Sequence, residues 1–126
     1  MQEYAEKITD SELEVMHVLW EAADALPIAD IRRTLRERRG WEATTIKTLV
    51  QRLCNKGAVA QEKRSVFYYR ALISEKEYND WATGDLIRKL YRGSAKDLVA
   101  ALVHSDELTA ADVEELRAMF RAEDGK

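Results

Sequence analysis

Four times in this chain a serine or threonine is followed three residues later by an acid: Thr9 with Glu12, Ser74 with Glu77, Ser94 with Asp97, and Thr109 with Asp112. At that spacing the hydroxyl accepts from an N–H of the first helical turn, while the acid reaches back to the cap residue and opposes the helix dipole. Four helix starts are therefore marked before any periodicity is considered. One proline and five glycines among 126 residues leave most of the chain available for regular structure, and the expectation is a mainly α fold.

Hydrophobic periodicity supplies the rest. A first helix over 10–23 turns Leu13, Met16, Leu19, Trp20 and Ala23 inward. Pro27 breaks the chain, and a second helix over 29–39 uses Ile28, Ile31 and Leu35 before Gly40 stops it. A third over 43–56 carries Ile46, Leu49, Val50 and Leu53 at i, i+3, i+4 and i+7, with Gly57 as its left-handed stop. Two helices this close together have the helix-turn-helix order. The period then changes to two at Val59, Gln61 and Lys63, and Val66-Phe67-Tyr68-Tyr69 is rich in β-formers. With Arg64-Ser65 between them, these runs predict a two-stranded hairpin directly behind the third helix, which is a wing.

From Ser74 onward three helices are predicted, over 74–92, 95–104 and 110–121. Their apolar residues include Tyr78, Trp81, Leu86, Leu90, Tyr91, Leu98, Leu102, Leu116 and Phe120, more than one face can bury. Helices this short have no room for a core of their own, so the surplus predicts burial against a second copy, with those nine residues at a dimer interface. Folding back onto the N-terminal core of the same chain is the alternative. The expected organisation is a winged helix-turn-helix domain over 1–72 and a helical dimerisation arm over 73–126.

A net charge of -3 argues at first against a polyanionic partner, but the charge is segregated. Residues 1–31 carry a net -7, residues 32–70 a net +8, and residues 71–126 a net -4. Screening confines each field to about 8–10 Å, so DNA would meet the local patch and not the total. On a wheel at 100° per residue, Thr44, Thr48, Gln51 and Asn55 lie opposite the buried stripe of the third helix, flanked by Lys47 and Arg52. No carboxylate occurs over 43–61. Hydroxyls, amides and cations suit base edges in a major groove, and residues near a recognition helix's N-terminus usually reach bases. The second helix carries Arg32, Arg33, Arg36, Arg38 and Arg39, some of which must point away from Ile31 and Leu35; Arg32, Arg33 and Arg36, with Arg52 of the third helix and Lys63 and Arg64 at the wing tip, are the candidates for phosphates. The competing reading of this surface is a winged-helix protein-interaction module without sequence-specific DNA binding.

Other chemistries find little support. His17 and His104 fall on different helices without a nucleophile and an orienting acid beside them, so no catalytic residue is assigned. His17 and Glu21, at i, i+4, make a weak metal pair, and neither metal nor cofactor is expected. Cys54, the single cysteine, lies at the border of the buried stripe and reads as a structural thiol. No run approaches the roughly 18 apolar residues of a membrane span, and the acidic start lacks a signal-peptide pattern, so a cytoplasmic protein is expected.

The run Ile8-Thr9-Asp10-Ser11-Glu12-Leu13-Glu14-Val15-Met16 with Leu19-Trp20, then Trp41, Thr45-Ile46-Lys47-Thr48-Leu49, Arg52-Leu53, Lys56-Gly57 and Phe67-Tyr68-Tyr69, resembles the BlaI/MecI penicillinase-repressor family. The likeness continues through Tyr91, Gly93, Leu98-Val99 and Glu114-Glu115-Leu116-Arg117. It implies a dimeric repressor on an inverted-repeat operator of double-stranded DNA, with C-terminal helices interlocked across the two-fold. By position it marks Thr44, Thr45, Lys47 and Thr48 as base-proximal. Members that answer to β-lactams are inactivated when signalling by a membrane-bound sensor protease leads to cleavage of an Asn-Phe bond in the penultimate helix. The matching pair here is Ala101-Leu102. Copper-responsive relatives carry a C-terminal cysteine cluster, which this chain does not have.

Overall fold

The computed structural model describes residues 8–124. Their order is α1 (Asp10–Glu21), β1 (Leu26–Pro27), α2 (Ile28–Arg39), α3 (Ala43–Asn55), β2 (Val59–Lys63), β3 (Phe67–Ala71), α4 (Glu75–Tyr91), α5 (Ala95–His104) and α6 (Ala110–Asp124). The chain divides into two units, Met1–Ala82 and Thr83–Lys126.

All four marked helix starts form as the spacing requires. Thr9 Oγ1 accepts from the N–H of Glu12 at 3.2 Å, and Glu12 Oε1 accepts from the N–H of Thr9 at 2.9 Å. Ser74 with Glu77 and Thr109 with Asp112 repeat both bonds. Ser94 Oγ accepts from the N–H of Asp97 at 3.1 Å. The C-terminus of α3 is closed as firmly, because Gly57 at φ 81° lets its own N–H reach the Cys54 carbonyl and the N–H of Ala58 reach that of Leu53. This paired closure needs a left-handed residue, which glycine supplies without a Cβ clash.

In the first unit α1, α2 and α3 share one core with the sheet. Val15, Met16, Ile31, Leu35, Ile46, Val50, Leu53 and Val59 are buried there. Fully burying one such aliphatic side chain contributes about 1.5–3 kcal/mol, so the stripe on α3 fixes which of its faces points outward. Trp20 Nε1 donates to the Ile73 carbonyl at 2.9 Å and ties α1 to the segment before α4.

The hairpin forms in the register Val59↔Ala71 through Lys63↔Phe67, with Tyr69 turned into the core. Its sheet has a third strand that the sequence did not announce. Leu26–Pro27 pairs with Tyr68 and Tyr69, giving the antiparallel order β1-β3-β2. Two residues are too few for an alternating pattern, and Pro27 is accepted because β1 is an edge strand. Helix α1 also stops two residues early. Ala22 is extended, and Ala23, expected to face inward, is exposed.

In the second unit the helices form at the expected positions, but no residue between 83 and 124 is buried. Of the residues expected at a dimer interface, Tyr78 and Trp81 lie in the first unit and pack on its core. Tyr78 is only 9% exposed, with its ring 5.8 Å from that of Trp20 and 6.2 Å from that of Trp81. Of the rest, Tyr91 and Leu98 are half-buried, while Leu86, Leu90, Leu102, Leu116 and Phe120 are exposed, Leu90 at 66% and Phe120 at 61%. Among the described residues, no helix is long and apolar enough to cross a membrane.

Candidate nucleic-acid interface

Helix α3 buries Ile46, Leu49, Val50 and Leu53, which leaves Thr44, Thr45, Lys47, Thr48, Gln51, Arg52 and Asn55 exposed on its other side. Thr48 Oγ1 donates to the Thr44 carbonyl at 2.9 Å, which points its methyl away from that bond. Glu42, at the N-cap, makes no side-chain capping bond, so the first N–H groups of α3 remain available at the positive end of the helix dipole.

The cations around this helix divide into two sets. Arg38 lies 2.6 Å from Glu21 and Arg39 lies 2.9 Å from Glu14, so α1 holds the last two arginines of α2. Those contacts depress both carboxyls below the usual glutamate value. Glu21 is thereby taken from the weak metal pair it made with His17. Arg33 meets Asp30 at 3.1 Å. On the wing, Arg70 and Arg64 both contact Glu62, at 2.7 and 3.1 Å, and hold its carboxyl low. Arg64 is also stacked 4.3 Å over the Tyr68 ring. Among the described residues Arg32, Arg36, Lys47, Arg52 and Lys63 have no carboxylate within ion-pair distance. All five lie on α2, α3 or the wing.

Two aromatic side chains that the charge pattern does not flag join this surface. Trp41 lines a cavity of about 290 Å³ with Arg32, Arg33, Arg36 and Ala43, at the start of α3. Phe67, 42% exposed on the wing, has Lys63 Nζ 5.9 Å from its ring centre. A tryptophan next to an N-cap and an aromatic opening a strand are both common in cores, so neither stands out in sequence.

Beneath α3, Glu12 locks the helix in place. It is 1% exposed, and Oε1 accepts from Lys56 Nζ at 2.5 Å as well as from Thr9. Burial pushes the carboxyl up, but the Lys56 ammonium and the two Thr9 hydrogen bonds outweigh it and hold it below the usual value. Cys54 is half-buried, and burial raises its thiol pKa, as befits a structural residue. No group of three or more His, Cys, Asp or Glu side chains suited to a metal occurs among the described residues.

Comparison with known proteins points the same way as this geometry. The chain is 31% identical over 112 residues to the methicillin resistance regulatory protein MecI of Mammaliicoccus sciuri, covering 88% of this chain and 90% of that one. The DNA-binding domain of the repressor BlaI superposes with a TM-score of 0.53 at 36% identity, over 57% of this chain and 88% of that domain. The Bacillus licheniformis BlaI monomeric form, solved in complex with the blaP half-operator, gives a TM-score of 0.50 at 36% identity, over 56% and 87%. Residues 8–122 match the penicillinase repressor family, spanning both units from the α1 cap to α6. The match over residues 8–122, with 31% identity to a MecI over 88% of the chain, makes this chain a member of the penicillinase repressor family, a family of transcriptional repressors and not of enzymes.

Proposed function

We propose that the chain is a dimeric repressor whose helix α3 reads an inverted-repeat operator while the wing and α2 hold the backbone. The observation that carries this reading is the outward face of α3, where Thr44, Lys47, Thr48, Gln51 and Arg52 stand exposed with no acid among them. Lys47 donates to guanine or phosphate, Gln51 matches adenine, and the threonine methyls match thymine. Arg32, Arg36, Arg52 and Lys63 are the phosphate contacts. Arg33 and Arg64 join them by exchanging an intramolecular carboxylate for a phosphate. Trp41 and the open N–H groups of α3 add donors beside the same backbone.

Leu86, Leu90, Leu102, Leu116 and Phe120, with Tyr91 and Leu98 at their margins, supply the surface for a second copy. A two-fold dimer then requires half-sites about one DNA turn apart, or a multiple of that spacing. Ala101 and Leu102 are both exposed on α5, within the pairing arm, so cutting between them would release the dimer. The membrane-bound sensor protease of related systems, or an enzyme downstream of it, is the partner such a route needs. The reading domain is 1–72 and the pairing arm 73–126, with the first turns of α4, Tyr78 and Trp81 among them, packed on the core of the first unit.

The test is fluorescence anisotropy of the purified chain at physiological salt, on the duplex upstream of its own gene and on a shuffled duplex. A preference of about a thousandfold or more is expected, and Lys47→Ala should erode it more than it erodes shuffled binding. Equal affinity for the two duplexes sinks the reading and leaves the protein-interaction module in its place.

A further inference from the structure

Where α2, α3 and the wing meet, a cavity of about 370 Å³ opens between three cations, Arg32, Lys47 and Lys63. Among the described residues none of the three has a carboxylate within ion-pair distance and no acid lines the cavity, although five other arginines of this unit are paired. Arg32 Nε is buried and has no hydrogen-bond partner. Leaving such a donor unpaired costs about 1–3 kcal/mol, a cost that an acceptor bound at the Arg32 guanidinium would offset. The remaining walls are mostly apolar, formed by Ile28, Val66, Phe67 and Tyr69, with Ser65 as the one further polar residue. A smaller cavity of about 170 Å³ shares Ile28, Lys47 and Phe67 and continues towards Cys54.

A DNA phosphate uses the cations of such a site but not its walls. A volume near 370 Å³ lies within the usual range for small-molecule pockets, where apolar walls hold the body of a ligand and a few polar groups fix its orientation. The geometry points to a regulatory site for a small amphipathic anion, an aromatic carboxylate whose ring sits on Ile28, Val66 and Phe67 and whose carboxylate meets Arg32, Lys47 and Lys63. Lys47 is the base-proximal cation of α3 and Lys63 a phosphate contact of the wing, so occupancy withdraws both from DNA. The regulatory half of this inference rests on the operator reading above, and linkage makes the antagonism reciprocal. The pocket itself does not depend on that reading.

Calorimetric titration of the full chain with 1-naphthoate tests the pocket. Inorganic phosphate carries the charge without the ring, and 1-naphthalenemethanol the ring without the charge. The expected result is a naphthoate Kd below about 1 mM, at least about tenfold tighter than either comparator, and weakened about tenfold or more by Arg32→Gln and by Lys63→Gln. Either variant suffices if the other fails to fold. Phosphate binding as tightly as naphthoate means a plain phosphate seat and overturns the proposal. Naphthoate binding that ignores both substitutions means adsorption to the exposed C-terminal helices, and also overturns it. Naphthoate should displace labelled upstream duplex from the wild type, and binding without displacement refutes the regulatory half. If the wild type binds no duplex, the operator reading fails while the calorimetry still decides the pocket.

Discussion

The bond between Glu12 and Lys56 joins the first turn of α1 to the C-terminal cap of α3, and its strength can be estimated from the surroundings of each partner. Glu12 is 1% exposed, and its Oε2 is buried with no hydrogen-bond partner, whereas the Lys56 side chain is 21% exposed. Removing one member of a fully buried pair costs about 3–5 kcal/mol, because the other charge is stranded. In Glu12→Gln the charge that loses this carboxylate is Lys56, which is partly solvated already, so the expected loss is smaller, about 2–3 kcal/mol. The glutamine carbonyl can still accept from Thr9, which spares the capping box. For a domain of this size that loss is a fall of roughly 10–20 °C in Tm at pH 7, read by circular dichroism at fixed protomer concentration. Lys56→Met should cost more, since Glu12 cannot reach water. Because the folded carboxyl is held low, its contribution is complete above the unfolded glutamate pKa and disappears as pH falls through the folded value. The gap between wild type and Glu12→Gln should therefore close below about pH 4. In Lys56→Met only burial and Thr9 act on the carboxyl, its pKa rises, and stability should recover as pH is lowered through that raised value. The reasoning is refuted if the two single losses add in the double variant to within about 0.5 kcal/mol, or if Glu12→Gln melts within about 3 °C of wild type at pH 7.

Lys63→Gln should reduce the slope of log affinity against log salt by about one, whereas Arg38→Gln should leave it unchanged, because Arg38 is held by Glu21; anisotropy at a series of salt concentrations separates the two. If the proposed dimer forms through this surface, Leu90→Asp combined with Phe120→Asp should sediment as a monomer where the wild type sediments as a dimer, with the near-ultraviolet spectrum of Trp20 and Trp41 unchanged. Leu53→Ala, which empties a fully buried position under α3, should cost about 2–5 kcal/mol in urea unfolding and weaken all duplexes together.

The helices were legible in the sequence because their signals are local. Thr9, Ser74, Ser94 and Thr109 begin them, Gly40, Gly57 and Gly93 mark their ends, and the stripe Ile46, Leu49, Val50, Leu53 sets the rotation of α3. Strand β1 was not legible, since its pairing with Tyr68 and Tyr69 depends on contacts more than forty residues distant. Tyr78 and Trp81 show the same limit. Their spacing continues the apolar run of α4, but only the position of Trp20 reveals that they belong with the first unit.

Charge is where pattern and geometry part furthest. The block over 32–70 is basic by +8, yet five of its arginines are occupied by Asp30, Glu14, Glu21 and Glu62. The acids of α1 that make the N-terminal block so negative are thus in part internal counterions for α2. They gather Arg38 and Arg39 at the end of the helix turned to α1, and leave Arg32 and Arg36 without a carboxylate partner nearer its start. Those two, with Lys47, Arg52 and Lys63, form a smaller cationic set than the block count suggests. On the proposed reading, net acidity is no obstacle to binding a polyanion, because the excess acids fall outside the 32–70 segment in sequence, and Glu14 and Glu21 neutralise Arg38 and Arg39, which that reading does not use. A count of charges along the sequence cannot make that distinction, since Glu21 finds Arg38 across 17 residues and Glu14 finds Arg39 across 25.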